Sequence, residues 1–303
     1  MFAAEYRSRV DLLLDILGII KWDSCFALKG GTAINFFYTD VPRLSVDIDL
    51  VYLPTKPRAE AFAQMIAEFK GYIEHLNRIG LQAIHSNTSS ANPVGKVTVI
   101  RGQARVIIEP NIIVRGTVLE CQLRELSLSV VKIFGKEVTV KCLSKKEIYA
   151  GKLLAMLDRQ HPRDIFDMMI YRETGGTIAE LLDVFIIYLL QTNRPFHELL
   201  SPNLLEIKSA YENAFAGMTT QPISLEKLQE TRILIFDEVN NKLTSEHLIF
   251  LRSCLEGKPL WSLLPFENIA TLPGIQWKMQ NILQMSFAKK AEQIKALNDF
   301  PIL

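Results

Sequence analysis

Hydrophobic and polar positions follow two regimes along this chain. Up to about residue 158, short alternating stretches interleave with helical ones. Beyond that point the spacing is helical almost throughout. Residues 1–20 place Glu5, Asp11 and Asp15 among apolar positions, which predicts an amphipathic helix and not a signal peptide. Residues 21–28 lead into a first strand, and residues 31–37 suit a short helix. Ser45 to Val51 then alternates strictly, with Val46, Ile48 and Leu50 on one face and Asp47 and Asp49 on the other. Residues 57–78 carry Phe62, Ile66, Phe69, Ile73 and Leu76 at helical spacing, so this helix should pack on the sheet. Ser86 to Pro93 is a polar loop. Residues 96–100 and 104–114 form a hairpin about Arg101-Gly102-Gln103, and residues 117–141 are expected to hold further strands.

Ser144 and Glu147 have capping-box spacing, which opens a helix running to about Arg159. Pro162 suits the first turn of the next helix. Further helices are expected over residues 178–191, 195–200, 204–216, 225–242, 245–255 and 275–297. No internal repeat or low-complexity segment interrupts them. The fold class is therefore α/β (α+β): a mixed sheet with flanking helices over residues 1–158, then a mostly helical domain over residues 159–303.

Composition narrows the function classes. Hydrophobic residues make up 49% and charged residues 22%, a globular balance with ample core. No apolar run reaches the length of a bilayer span, so the expectation is a cytoplasmic protein with no membrane partner. Cys25, Cys121, Cys142 and Cys254 show no C-x-x-C spacing, which argues for buried free thiols. A formal net charge of +1 means that any nucleic-acid binding must come from local basic patches. Lys132, Lys136, Lys141, Lys145 and Lys146 form one such candidate set, suited to guiding an RNA backbone.

The chemistry concentrates in residues 29–51. Two carboxylates side by side on the polar face of an apolar strand repel each other unless a cation lies between them. An all-oxygen donor set points to Mg²⁺ or Mn²⁺ and away from zinc. Just upstream, a strand ends in Gly30-Gly31-Thr32 before a helix, which lets backbone N–H groups approach a phosphate closely. A phosphate cradle followed by a two-carboxylate metal site describes a nucleoside triphosphate site. Thr32 suits a hydroxyl donor to phosphate or an N-cap, and the two roles are compatible.

Gly30-Gly31 followed by Asp47-x-Asp49 resembles the signature of the DNA polymerase β-type nucleotidyltransferase superfamily. GGTAIN followed by RLSVDIDL resembles, more narrowly, the AbiEii/AbiGii toxin family, in which Arg43-x-Ser45-x-Asp47 is the usual approach to the carboxylates. The resemblance implies a nucleotidyltransferase-fold sheet. It implies Asp47 and Asp49 as metal ligands, with Glu109 as the candidate third carboxylate; the bland alternative for Glu109 is a surface pair with Arg105. Gly30, Gly31, Thr32 and Ser45 become nucleotide-binding candidates.

A second constellation matches the family further on. Lys152 in an A-x-K-L helix, Arg159 two turns later, and Arg163-Asp164-x-x-Asp167 resemble its lysine and R-D-x-x-D pattern. By that resemblance Lys152 contacts the nucleotide phosphates, with Arg159 beside it. Asp164, or else Asp167, acts on a substrate hydroxyl or orients the lysine. A solvated helix face pairing with itself is the alternative.

The implied activity is metal-dependent transfer of a nucleoside monophosphate from an NTP, with release of pyrophosphate. The implied context is a type IV toxin–antitoxin or abortive-infection system with a cognate antitoxin encoded alongside. The 3′ end of tRNA is the expected acceptor, so that modification blocks translation. Two other readings are AMP transfer to a protein and a non-catalytic nucleotide- or RNA-binding module.

Overall fold

The computed structural model describes residues 4–86 and 88–300; residues 1–3 of the expected first helix, Asn87 of the expected polar loop and residues 301–303 lie outside the described residues. The chain divides into two compact units, Met1–Ile148 with Ala216–Pro222, and Tyr149–Phe215 with Ile223–Leu303. The sequence pattern placed the boundary at 158/159, at the end of a helix. The division instead falls inside that helix, and residues 216–222 group with the first unit.

The first unit is built on a seven-stranded sheet. Its strands are β1 (Phe26–Lys29), β2 (Asp47–Tyr52), β3 (Gln82–Ser86), β4 (Lys96–Arg101), β5 (Ala104–Asn111), β6 (Gln122–Glu125) and β7 (Thr139–Cys142), in the order β3-β4-β5-β2-β1-β7-β6. The sheet is mixed: β2 runs antiparallel to β1 and parallel to β5, and β1 runs parallel to β7. The alternation read along β2 has its physical counterpart in burial. Ile48 and Leu50 are fully buried while Asp47 and Asp49 are half-buried. Helices α1 (Ala4–Ile19) and α3 (Arg58–Arg78) pack on the sheet, and α2 (Gly30–Ala33) continues into a π-helical turn, Ile34–Tyr38. Phe26 of β1 meets Phe69 and Tyr72 of α3 at ring-centroid distances of 5.9 and 6.5 Å, an aromatic seam that fixes the helix on the sheet.

Two local readings are corrected. Strand β3 covers residues to which no element was assigned, together with Ser86 of the expected loop, and it is one of the two edge strands. Residues 128–134, expected as strand from their β-branched content, form α4 (Leu128–Phe134). Gly135 follows at φ +65°, the left-handed stop common after a helix C-terminus. Local punctuation outweighed propensity here.

The second unit takes the end of α5 (Lys145–Arg159), then α6 (Pro162–Glu173), α7 (Leu182–Leu189), α8 (Phe196–Leu200), α9 (Lys208–Ala214), α10 (Leu225–Lys242), α11 (Ser245–Leu255), α12 (Pro273–Gln284) and α13 (Phe287–Asn298). The expected helix over 275–297 is broken at Met285-Ser286. Ser286 takes the N-cap, its side chain accepting from Lys289 N, and starts α13. Among the described residues no helix is long and apolar enough to cross a membrane. The cysteines are free; Cys25, Cys142 and Cys254 are buried and Cys121 half-buried. Burial pushes the Cys25 and Cys254 thiols up to about 12, which makes them packing groups and not nucleophiles.

Candidate active site

In the first unit, the turn between β1 and α2 lies directly against the carboxylate strand. Gly30 has φ +72°, a conformation that L side chains rarely adopt. A Cβ at this position would overlap Asp49 Oδ2. A Cβ on Gly31 would lie 2.8 Å from Arg43 Nη2 and 3.0 Å from Ser45 Oγ. Each glycine therefore makes room for a different part of the site, one for the carboxylate and one for the strand's approach. Asn35 secures the turn by donating from Nδ2 to the Gly31 carbonyl at 2.8 Å.

Thr32 sits inside α2 and not at its N-cap, which is Lys29, so its capping role is set aside. Its side chain is fully buried, and the hydroxyl hydrogen-bonds Ser45 Oγ at 3.0 Å and the Asp47 carbonyl at 2.5 Å. The contact joins the glycine turn to the start of β2. Thr32→Val keeps the shape and removes that link, which should cost about 1–3 kcal/mol in denaturant unfolding. The Michaelis constant for nucleotide should change little. A raised Michaelis constant at unaltered stability would instead assign the hydroxyl to the ligand.

Arg43 is buried, and its Nη1 donates to the Leu44 carbonyl at 2.9 Å. It also forms a β-bridge with Thr219, while Leu44 N donates to the Met218 carbonyl at 2.8 Å. The returning 216–222 segment thus pins the approach to the carboxylates. Nothing in the sequence spacing indicates this support, because it comes from residues about 175 positions downstream.

Sheet register sets the row of charges around Asp49. On one side it pairs with Lys29 of β1, on the other with Glu109 of β5. Glu109, the candidate third carboxylate, is therefore a cross-strand neighbour of Asp49 on the same face. Its carboxylate, however, forms an ion pair with Lys96 of β4 at 2.7 Å. The partner is Lys96 and not Arg105. Among the described residues no three acidic, histidine or cysteine side chains are gathered as a metal cluster. Asp47 and Asp49 alone match the habit of Mg²⁺, which takes one or two carboxylates and leaves its other positions to water and phosphate. The missing Cβ under Asp49 leaves that carboxylate room at the glycine turn. The donor set fits such a cation.

The second unit holds the other constellation. Gln160, at φ +50°, ends α5. It is anchored by hydrogen bonds to Asn203 O, Leu205 N and Arg232 Nη1. His161 N-caps α6 by accepting from Arg163 N. These two turns set Asp164 at the third position of α6, where the helix dipole favours a carboxylate. Lys152 Nζ lies 2.7 Å from Asp164 Oδ1 and 3.1 Å from Asp167 Oδ2. Arg159 Nε and Nη2 donate to the two Asp164 oxygens at 2.6 and 3.0 Å. Burial pushes the Asp164 carboxyl up, but Lys152 and Arg159 more than reverse this and hold it well below the usual carboxylate range.

Asp164 is fully buried and Lys152 nearly so, whereas the Arg159 side chain is 61% exposed. The four groups amount to a lysine clamped by two carboxylates, with an arginine reaching outward from one of them. Asp164 and Asp167 share the lysine instead of competing for one role. With both oxygens taken up in this way, Asp164 suits orienting the lysine and not meeting a substrate hydroxyl.

The family described as "Nucleotidyl transferase AbiEii toxin, Type IV TA system" matches residues 11–281. No curated protein matches the sequence. Among solved structures, MenT4, a nucleotidyltransferase toxin from Mycobacterium tuberculosis H37Rv, superposes with a TM-score of 0.60 over 93% of this chain and 94% of its own, at 15% identity. That likeness is one of fold. The family match covers nearly the whole chain, including both motifs, and the chain belongs to the AbiEii family of nucleotidyltransferase toxins of type IV toxin–antitoxin systems.

Proposed function

We propose that this chain transfers a nucleoside monophosphate from an NTP to the 3′ end of tRNA, and so blocks translation in the cytoplasm. The 3′ hydroxyl oxygen bonds to the α-phosphorus, the α–β phosphoanhydride breaks, and pyrophosphate leaves. Asp47 and Asp49 are the proposed holders of Mg²⁺ or Mn²⁺, which would neutralise phosphate charge and lower the pKa of the attacking hydroxyl. Gly30 and Gly31 bring backbone N–H groups close to phosphate, with Ser45 and Thr32 fixing the turn. Lys152 is the proposed phosphate contact, held in place by Asp164 and Asp167. Arg159, exposed at its end, is a second cation for the nucleotide. A cognate antitoxin is the implied protein partner.

One observation carries the reading: Asp47 and Asp49 share one face of β2, and Gly30, at φ +72°, leaves against Asp49 Oδ2 the space that a Cβ would fill. Periodate oxidation of the tRNA 3′ diol tests the acceptor. Oxidised tRNA should take up no labelled nucleotide, and undiminished labelling would contradict attack by the 3′ end.

The paired state of Glu109 gives a graded expectation. Glu109→Gln should weaken Mn²⁺ binding and transfer less than about tenfold, because that carboxylate is already engaged by Lys96. Asp49→Asn should lower transfer by roughly 10³-fold, the range for loss of a group that stabilises transition-state charge. Equal losses in the two variants would restore Glu109 as a full ligand.

A further inference from the structure

The lysine set read from the sequence is partly committed elsewhere. Lys136 lies 2.7 and 2.6 Å from Asp11 and Asp15 of α1, which Arg101 also bridges. It ties α1 to the sheet unit and is not available to guide RNA. A different basic cluster stands past the C-terminal end of β2, and no sequence run announces it.

Arg58 is the first residue of α3, and its guanidinium lies 4.8 Å from the Phe62 ring centroid. Arg115, which follows β5, approaches the same ring at 5.8 Å. It is 6% exposed, its Nε has no partner, and its Nη1 donates to the Lys56 carbonyl at the entrance to α3. Lys56 Nζ donates to Gln64 Oε1 at 3.0 Å. Among the described residues, no carboxylate lies within ion-pair distance of Lys56, Arg58 or Arg115. Burial pushes the Arg115 guanidinium down from its ordinary value, and the like charge of Arg58 adds to that.

Two guanidiniums on one aromatic ring, one of them nine-tenths buried, with a lysine beside them, repel each other as two bare carboxylates do; Glu60, in the first turn of α3, is not within ion-pair distance of them. An anion relieves the repulsion. The location adds to this: α3 is a 21-residue helix whose N-cap, Pro57, supplies no side-chain cap, so its first N–H groups face outward with the positive end of the dipole. Helix N-terminus and buried arginine are independent features that favour the same kind of ligand. Asp49, the nearer of the two carboxylates, and Tyr52 are about 10 Å apart along β2 at the usual strand rise, and the cluster lies past Tyr52. A group bound at this cluster is therefore a different one from the phosphate at Asp47 and Asp49.

We propose that Lys56, Arg58 and Arg115, with the N-terminus of α3, bind a backbone phosphate of the acceptor RNA several nucleotides from its reacting end. The proposal rests on the RNA-acceptor reading above. It adds to that reading a site on the sheet unit that holds the body of the RNA by charge and not by sequence.

The test is the salt dependence of binding between the full-length protein and fluorescently labelled bulk tRNA, from 50 to 200 mM NaCl, with melting temperatures measured beside it. Lys56 and Arg58 are exposed, so Lys56→Gln with Arg58→Gln should fold normally. Each lost phosphate contact should reduce the slope of log affinity against log salt by about 0.7–0.9. Arg58→Lys, which keeps the charge, should retain the wild-type slope. An unchanged slope in the double variant, with the wild type binding tRNA, overturns the site and leaves the RNA reading standing. A wild type that binds no tRNA overturns both.

Discussion

Asp164→Asn should lower stability by about 3 kcal/mol and leave nucleotide transfer barely detectable. The reason is asymmetric. Removing one partner of a buried ion pair strands the other charge, which typically costs about 3–5 kcal/mol, more than the pair itself contributes. Here the stranded group is Lys152, nearly buried and left with Asp167 at 3.1 Å. Arg159 loses its anchor in the same step. If Lys152 is the phosphate contact proposed above, its displacement by an ångström alone should cost about 100-fold in rate.

The effect carries a pH signature. Asp164 has a folded pKa depressed below its unfolded value near 3.9. Its contribution is fully present above about pH 4 and is lost as pH falls through the depressed folded value. The stability difference between wild type and Asp164→Asn, measured by denaturant unfolding, should be flat from pH 7 to about 4 and should shrink below that. A difference that varied between pH 5 and 7 would point to some other titrating group.

Gly30→Ala is the second large effect, and it differs in kind. An alanine at φ +72° carries about 1–2 kcal/mol of backbone strain, and its Cβ must displace Asp49 Oδ2. The overlap is with a carboxylate proposed to hold the metal, so the loss should appear in metal binding and transfer, at least 100-fold, more than in the melting temperature. Gly31→Ala meets Arg43 and Ser45 side chains instead, at 2.8 and 3.0 Å, and should be milder in metal binding. Mn²⁺ titration of both variants separates them. Equal affinity for Mn²⁺ in Gly30→Ala and wild type would show that Asp49 is not a ligand.

Sequence alone carried the carboxylate strand, the glycine turn, the family and the order of sheet and helices. These are local signals: a period-two alternation, a double glycine, a capping serine and a proline at a helix start. What it missed is long-range. The Lys96–Glu109 pair depends on β4 and β5 being neighbours in register, whereas the spacing within one strand suggested Arg105. Residues 216–222 joining the first unit, and Thr219 bridging Arg43, have no periodic signature at all. The sharing of Lys152 by Asp164 and Asp167 looked like a choice between two aspartates. Their i,i+3 placement on α6 puts both on one face, and that fact was already legible.

The proposed reaction moves a nucleotide from an NTP onto RNA. The direct measurement incubates the full-length protein with Mg²⁺, total RNA and each α-³²P-labelled NTP in turn, beside an Asp49→Ala control. Label should appear in a tRNA-sized band with a preferred nucleotide, sensitive to ribonuclease, resistant to protease and absent from the control. Label confined to a protein band, or equal labelling of RNA by the Asp49→Ala protein, would contradict that reaction.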